Sequence, residues 1–191
     1  LFRDDNCFDC APMPVSVSVG IYDNNNNQLL GTYRNIPLSS SEQLPLNPLP
    51  PCITNPPTLV YTVGYYSYTT ELPDNTNGYT AAYQTCCRID GIRNVPNSVG
   101  ATYITQIPGT NILGLNGTDN SPRFSQGISV VCYNKPFTLD FSATDPDGDS
   151  LIYSLCDAFN GGAAVNASYT TPAAPPYGFL SYINGYSGTR P

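Results

Sequence analysis

CYNKPFTLDFSATDPDGDSLIYSLC, residues 132–156, holds two runs of strand character joined by an acidic turn, with a cysteine outside each run. In Phe137-Thr138-Leu139-Asp140-Phe141 apolar and polar residues alternate with the period of two that a half-buried strand requires. Asp145-Pro146-Asp147-Gly148-Asp149 then breaks the run, because proline fixes φ, glycine admits positive φ and aspartate tolerates turns. A second run at 151–155 completes the pattern of a β-hairpin with strands 137–143 and 151–155.

That turn carries the one cation-binding pattern in the sequence. Asp145, Asp147 and Asp149 follow the first half of a calcium loop, in which alternate side chains converge on a hard cation and glycine permits the bend. The place of the bidentate acid that ends a helix-loop-helix site is taken by Cys156, so an EF-hand is excluded. Two readings stay open: a β-turn calcium site completed by Asp140, Asp157 or a backbone carbonyl, and a solvated turn without metal.

Composition sets the class. The 191 residues include 19 prolines and 16 glycines, only 11% are charged, and Tyr, Val, Ile and Thr recur in short alternating runs. Such a chain is all-β. A net charge of -7 with Lys135 as the single lysine argues against nucleic acid, whose phosphates demand clustered cations, and against docking on anionic lipid. No apolar run reaches the roughly 18 residues of a membrane span, so direct membrane insertion is not expected. Histidine is absent, which removes Ser-His and Cys-His nucleophiles and His-ligated metal centres. A carboxylate pair could still do acid/base work, but the acids here sit in turns or alone, so the chain does not read as an enzyme. Leu1-Phe2-Arg3-Asp4 reads like the end of a strand and no signal peptide is visible, as in a trimmed or mature segment of a longer chain.

Seven cysteines in an acidic, lysine-poor β protein indicate an oxidising, extracellular compartment. Cys7 and Cys10 have the spacing of half a zinc site, but no second pair answers them, so disulfides are the expected use. Cys52, Cys86, Cys87, Cys132 and Cys156 are the principal candidates. Within a strand over 79–87, Cys86 and Cys87 point to opposite faces, and a bond between neighbours is strained. They are therefore assigned to two different bridges, one to Cys52 and the other to Cys7 or Cys10.

In chain order, Val15, Val17, Val19 and Ile21 alternate with Ser16, Ser18 and Gly20, a strand with one wet face. The Asp23-Asn24-Asn25-Asn26-Asn27 turn follows, and 29–36 returns. Residues 37–57 form a long proline-rich connection, 58–70 the longest strand candidate, and 79–87 and 101–107 two more. The Gly- and Asn-rich stretch 108–122 is the best boundary. These runs give two Ig-like or cadherin-like β-sandwich domains, a disulfide-tied one over 1–119 and a partial one over 120–191. The second has too few strands for a sandwich of about seven. Tyr61, Tyr65, Tyr79 and Tyr83 read as core and rim, whereas Tyr66, Tyr68, Tyr177, Tyr182 and Tyr186 remain candidates for an adhesive surface. Asn116-Gly117-Thr118 and Asn166-Ala167-Ser168 match N-glycosylation acceptors, a pattern common by chance.

Several segments in order resemble one protein type. They are Leu1-Phe2-Arg3-Asp4, Gly78-Tyr79, Ala82 to Arg88 (AYQTCCR), Gly100-Ala101-Thr102-Tyr103 and Ile107-Pro108-Gly109 in the first half. In the second half they are Asn120-Ser121-Pro122-Arg123-Phe124, Cys132 with Pro136-Phe137, the run 142–155, Pro175-Pro176-Tyr177 and Asn184-Gly185-Tyr186-Ser187. Together they resemble large secreted surface proteins of Bacteroidota. The resemblance implies a repetitive β protein exported by type IX secretion, with PKD-like or Ig-like domains, of adhesin or gliding-motility type. The sorting domain of such proteins is not in this sequence, and the strands that usually follow Tyr186-Ser187 are cut off at Pro191. In those bacteria Asp149-Ser150-Leu151 also matches an O-glycosylation acceptor at Ser150.

The leading expectation is a non-enzymatic structural and adhesive surface module, with calcium at Asp145, Asp147 and Asp149 stiffening a junction. Its partners would be neighbouring domains of the same giant chain, other copies of itself, or surface glycans. A subunit of an extracellular filament that assembles by β-strand addition is the first alternative, motivated by the open second domain. A carbohydrate-binding module, resting on the tyrosines, is the second.

Overall fold

The structure is a computed structural model that describes residues 1–6, 12–44, 49–54, 60–88, 91–114, 117–125, 131–132, 134–162 and 171–190. Its strands are β1 (Phe2–Asp4), β2 (Ser16–Asp23), β3 (Arg34–Leu44), β4 (Tyr61–Tyr66), β5 (Tyr79–Thr85), β6 (Ala101–Ile107), β7 (Arg123–Phe124) and β8 (Ala143–Thr144). A single turn of helix, α1 (Thr110–Leu113), is the only helix among the described residues. The protein is all-β, as its composition indicates. No helix in the described residues is long and apolar enough to cross a membrane.

Two compact units interleave along the chain. The first gathers Leu1–Val15, Pro37–Ser67 and Asn120–Leu151; the second gathers Ser16–Ile36, Tyr68–Asp119 and Ile152–Pro191. The chain passes from one unit to the other at Asp119/Asn120 among other places, and each unit draws residues from both sides of that point.

In the first unit β4 is the middle strand of an antiparallel ladder, flanked by β1 (Phe2↔Val63, Asp4↔Tyr61) and β3 (Leu38↔Tyr66, Leu44↔Tyr61). Aromatic and β-branched residues favour the extended chain of β4, and Gly64 interrupts them for a packing reason. A Cβ there would stand 2.7 Å from the Met13 sulfur and 3.0 Å from a Leu38 methyl. A bulge between Leu38 and Ser40 takes Ser39 out of the β3 register, and its hydroxyl accepts the Ser67 N–H at 3.1 Å. Much of β3 lies in the proline-rich stretch expected to be a connection, and its residues 39–43 are all exposed. Val63 is the one buried hydrophobic side chain of this unit among the described residues. A disulfide between Cys52 and Cys132, with Cα atoms 6.4 Å apart, supplies the long-range tie that a small core does not.

The expected hairpin of 137–143 and 151–155 does not form. Ala143–Thr144 pairs instead with Arg123–Phe124, and the rest of both runs lies outside the strands, with Phe137 60%, Phe141 68% and Leu155 64% exposed. Alternation makes a strand only where a partner ladder and a covering layer exist, and among the described residues only Ala143 of these runs has a ladder partner.

The second unit is built on β2–β5–β6, with β5 in the middle (Val19↔Tyr83, Asp23↔Tyr79; Tyr79↔Ile107, Thr85↔Ala101). Its buried side chains include Val17, Ile21, Tyr22, Ile36, Tyr79, Ala82, Val95, Ala101 and Leu180. The wet face expected on β2 is covered: Ser18 is buried and donates to Asn35 Oδ1 at 3.1 Å. Beyond β2 the turn is held by Asp23, whose Oδ1 accepts the Asn25 N–H at 2.7 Å while Asn27 adopts φ 58°.

Polar residues buried in β5 and β6 dock later segments of this unit. Gln84 donates to Thr102 Oγ1 at 2.8 Å, Thr102 donates to the Asn160 carbonyl at 2.6 Å, and Gln84 Oε1 accepts the Ala173 N–H at 2.9 Å. Gly100 permits this approach, since a Cβ would collide with the Gly161 and Gly162 carbonyls. The Tyr22 hydroxyl donates to the Pro172 carbonyl.

Replacing Cys52 and Cys132 together by serine is expected to destabilise the first unit by about 4.5 kcal/mol, the loop-closure value for a ring of this size. The readout is the urea midpoint followed by tyrosine fluorescence. An unchanged midpoint would mean that the ladder suffices without the cross-link.

Candidate functional site

Asp145, Asp147 and Asp149 do not act alike. Asp145 turns inward on its own loop: its Oδ1 accepts the backbone N–H of Asp147 at 2.9 Å and of Asp149 at 3.2 Å. The Gly148 N–H donates to the Asp145 carbonyl at 3.3 Å, with Gly148 at φ 81°. An Asx turn of this kind fixes the loop without metal. Asp147 and Asp149 face outward, and each offers a carboxylate oxygen within 4.8 Å of the other.

Asp147 is itself held by Asn120, which donates its backbone N–H to Oδ2 at 2.6 Å and its side-chain amide to Oδ1 at 3.0 Å. Asn120 therefore belongs to the site, and only its place before Ser121-Pro122 in the chain could have drawn attention to it. Of the proposed completing ligands, Asp140 instead accepts the Ser142 N–H at 2.8 Å, a bond that holds its carboxyl below the usual range. Asp157 lies in the second unit and accepts the Gly188 N–H at 2.8 Å. The structure thus brings Asp147 and Asp149 together and gives Asp145 a backbone-binding role. Ser150 is exposed.

Below this turn in the chain, the first unit carries an open groove of 760 Å³ lined by Phe124, Val131, Phe137, Leu139, Asp140 and Phe141. Phe124, at 62%, is as exposed as Phe137 and Phe141. Large apolar side chains at such exposure are a surface feature, not a core.

The cysteines pair otherwise than the alternation rule implies. Cys52 joins Cys132, and Cys86 joins Cys87. Strand β5 ends at Thr85, so the opposite-face argument stops one residue before the pair. Cys87 is exposed and Cys86 half-buried. Cys156 is exposed and is the one cysteine among the described residues without a disulfide. Cys7, Cys10, Asn116 and Asn166 lie outside the described residues. Arg88, next to the vicinal pair, donates its backbone N–H to the Val99 carbonyl at 2.8 Å, Nε to Gly100 O and Nη2 to Phe159 O, both at 3.2 Å.

Among the tyrosines, Tyr79 is buried and Tyr61, Tyr65 and Tyr83 are half-buried, as core and rim residues should be. Tyr68 and Tyr186 are exposed, whereas Tyr66 donates to the Pro14 carbonyl at 2.6 Å and Tyr182 accepts the Ala158 N–H at 3.2 Å. Burial pushes the Tyr177 hydroxyl up to about 12 and raises those of Tyr22 and Tyr83 as well.

Comparison of the chain with family models, with curated proteins and with solved structures finds no match.

The buried phenols make the second unit sensitive to alkali. Their folded-state values stand above the value near 10 of a free phenol, so the stability they contribute is complete below about pH 10 and is lost as pH rises through the folded values. The melting temperature is expected to hold level to about pH 9 and to fall above pH 10, less steeply in Tyr177→Phe. Identical falls in the two proteins would remove Tyr177 from the account.

Proposed function

We propose that this chain is a non-enzymatic structural and adhesive module of a large extracellular surface protein, of the gliding-motility or attachment type found among type IX secretion substrates of Bacteroidota. In this reading its β units are Ig-like or cadherin-like sandwiches, the later one completed from outside residues 120–191. The observation that carries the proposal is the Cys52–Cys132 bond: it ties positions 80 residues apart in a unit whose described residues bury one hydrophobic side chain. Cross-links of this kind persist in oxidising compartments and resist extension under load. The phenylalanine-lined groove on the same unit supports an adhesive role, since exposed apolar patches favour contact with partners.

Single-molecule pulling tests the mechanical part. The oxidised chain is expected to unfold in discrete steps and to withhold the length closed by the disulfide, 80 residues at about 3.4 Å each, or about 270 Å. Reduction should release that length. Extension without any unfolding step in the oxidised chain would sink the reading.

Calcium at the acidic turn belongs to the same proposal, with Asp147 and Asp149 facing the ion and Asp145 shaping the loop. Native mass spectrometry and a thermal scan, each with and without EDTA, provide the test. The wild type is expected to lose a calcium-sized increment and several degrees of melting temperature, and Asp147→Asn/Asp149→Asn to show neither change. A wild type indifferent to EDTA would leave the turn to Asn120 and its own hydrogen bonds.

A second reading, a filament subunit that grows by strand addition, is favoured by β7 and β8, a ladder of two residues per strand whose residues are mostly exposed. Oligomer ladders that lengthen with concentration in the native spectrum would select it over the first.

A further inference from the structure

We propose that the Cys86–Cys87 disulfide is a redox site for a dithiol reductant, and that its reduction loosens the Arg88 clamp holding the Phe159 segment against the end of the β5–β6 ladder. The two disulfides of the described residues differ in what they can do for stability. Cys52–Cys132 closes a ring 80 residues long, whereas Cys86–Cys87 joins residues at a separation of 1. A cross-link constrains an unfolded chain in proportion to the logarithm of the loop it closes, so the vicinal bond restrains almost nothing beyond its own peptide unit. Loop closure therefore does not account for two cysteines at this place.

Position supplies the alternative. Cys87 is exposed at the surface while Cys86 is half-buried, so an incoming thiolate reaches the Cys87 sulfur first. In the exchange, one thiolate of the reductant attacks Cys87 Sγ, the Cys86–Cys87 bond breaks, and its electron pair goes to Cys86 Sγ, which takes a proton from water. The second thiol of the reductant, as thiolate, then attacks the mixed disulfide and releases Cys87, which is protonated in turn. The protein gains two electrons and two protons, and the dithiol ends as a disulfide.

The structural consequence follows from the next residue. Arg88 bonds Val99 and Gly100, just before β6, and Phe159 in the later segment, while the Thr102 N–H also reaches the Phe159 carbonyl at 3.4 Å. Opening the disulfide returns rotational freedom to the backbone immediately before Arg88, and those bonds lose the constraint that orients their donor.

The test uses the unaltered protein, titrated with dithiothreitol, quenched with iodoacetamide and mapped by peptide mass spectrometry, with amide hydrogen exchange recorded at each concentration. Cys156, exposed and already reduced, should label without reductant and serves as the internal standard. Cys86 and Cys87 are expected to label together at a dithiothreitol concentration about tenfold below that needed for Cys52 and Cys132. At that concentration the Arg88 and Thr102 amides should exchange faster, by about threefold or more. Cys86→Ser/Cys87→Ser should show the same fast exchange without reductant. Simultaneous reduction of both disulfides would overturn the redox site, and unchanged exchange at Arg88 and Thr102 once Cys86 and Cys87 are labelled would overturn the clamp.

Discussion

The second unit depends on one buried amide. Gln84 sits in the middle strand of its ladder, where an unpaired polar group would cost about 1–3 kcal/mol. It is satisfied on both ends, by Thr102 across the ladder and by the backbone of Ala173, which is 89 positions away in the chain. Thr102 passes the connection to Asn160. Two segments with little regular structure of their own are thereby fixed by bonds that no apolar contact could aim as narrowly. Glycine at position 100 leaves room for the carbonyls that this docking brings in.

The first unit solves the same problem with covalent chemistry. Its ladder buries Val63 and is otherwise edged by serines, tyrosines and a bulge. Among its described residues little hydrophobic area is removed from water, and a bond between Cys52 and Cys132 supplies a covalent tie. The acidic turn is likewise closed by polar contacts: Asp145 binds its own backbone, and Asn120 binds Asp147.

How far the sequence disclosed this differs from element to element. Residues 101–107 were legible because alternation there is bounded by Gly100 and Pro108, and the strand occupies those residues. Residues 79–85 were legible for similar reasons, but the strand ends at Thr85 while the pattern in the sequence runs on to Cys87, so alternation does not govern Cys86 and Cys87. Residues 137–142 and 151–155 have as good a period as either, yet they form no hairpin, because pairing is decided by what lies opposite and a sequence does not state that. At the acidic turn the residue types were readable and their division of labour was not. Which aspartate faces its own backbone depends on φ at Gly148 and on an asparagine 27 positions upstream.

The interleaving of the two units has a consequence for the order of events as the chain is made. It passes between units after Val15, Ile36, Ser67, Asp119 and Leu151. The first unit lacks its cross-link until Cys132 is present, and the second lacks the backbone partners of Gln84 and Tyr22 until positions 172 and 173 are. Neither can complete itself early, as a contiguous leading domain would. Folding of residues 1–191 is thus dominated by distant pairings, which are slow to find.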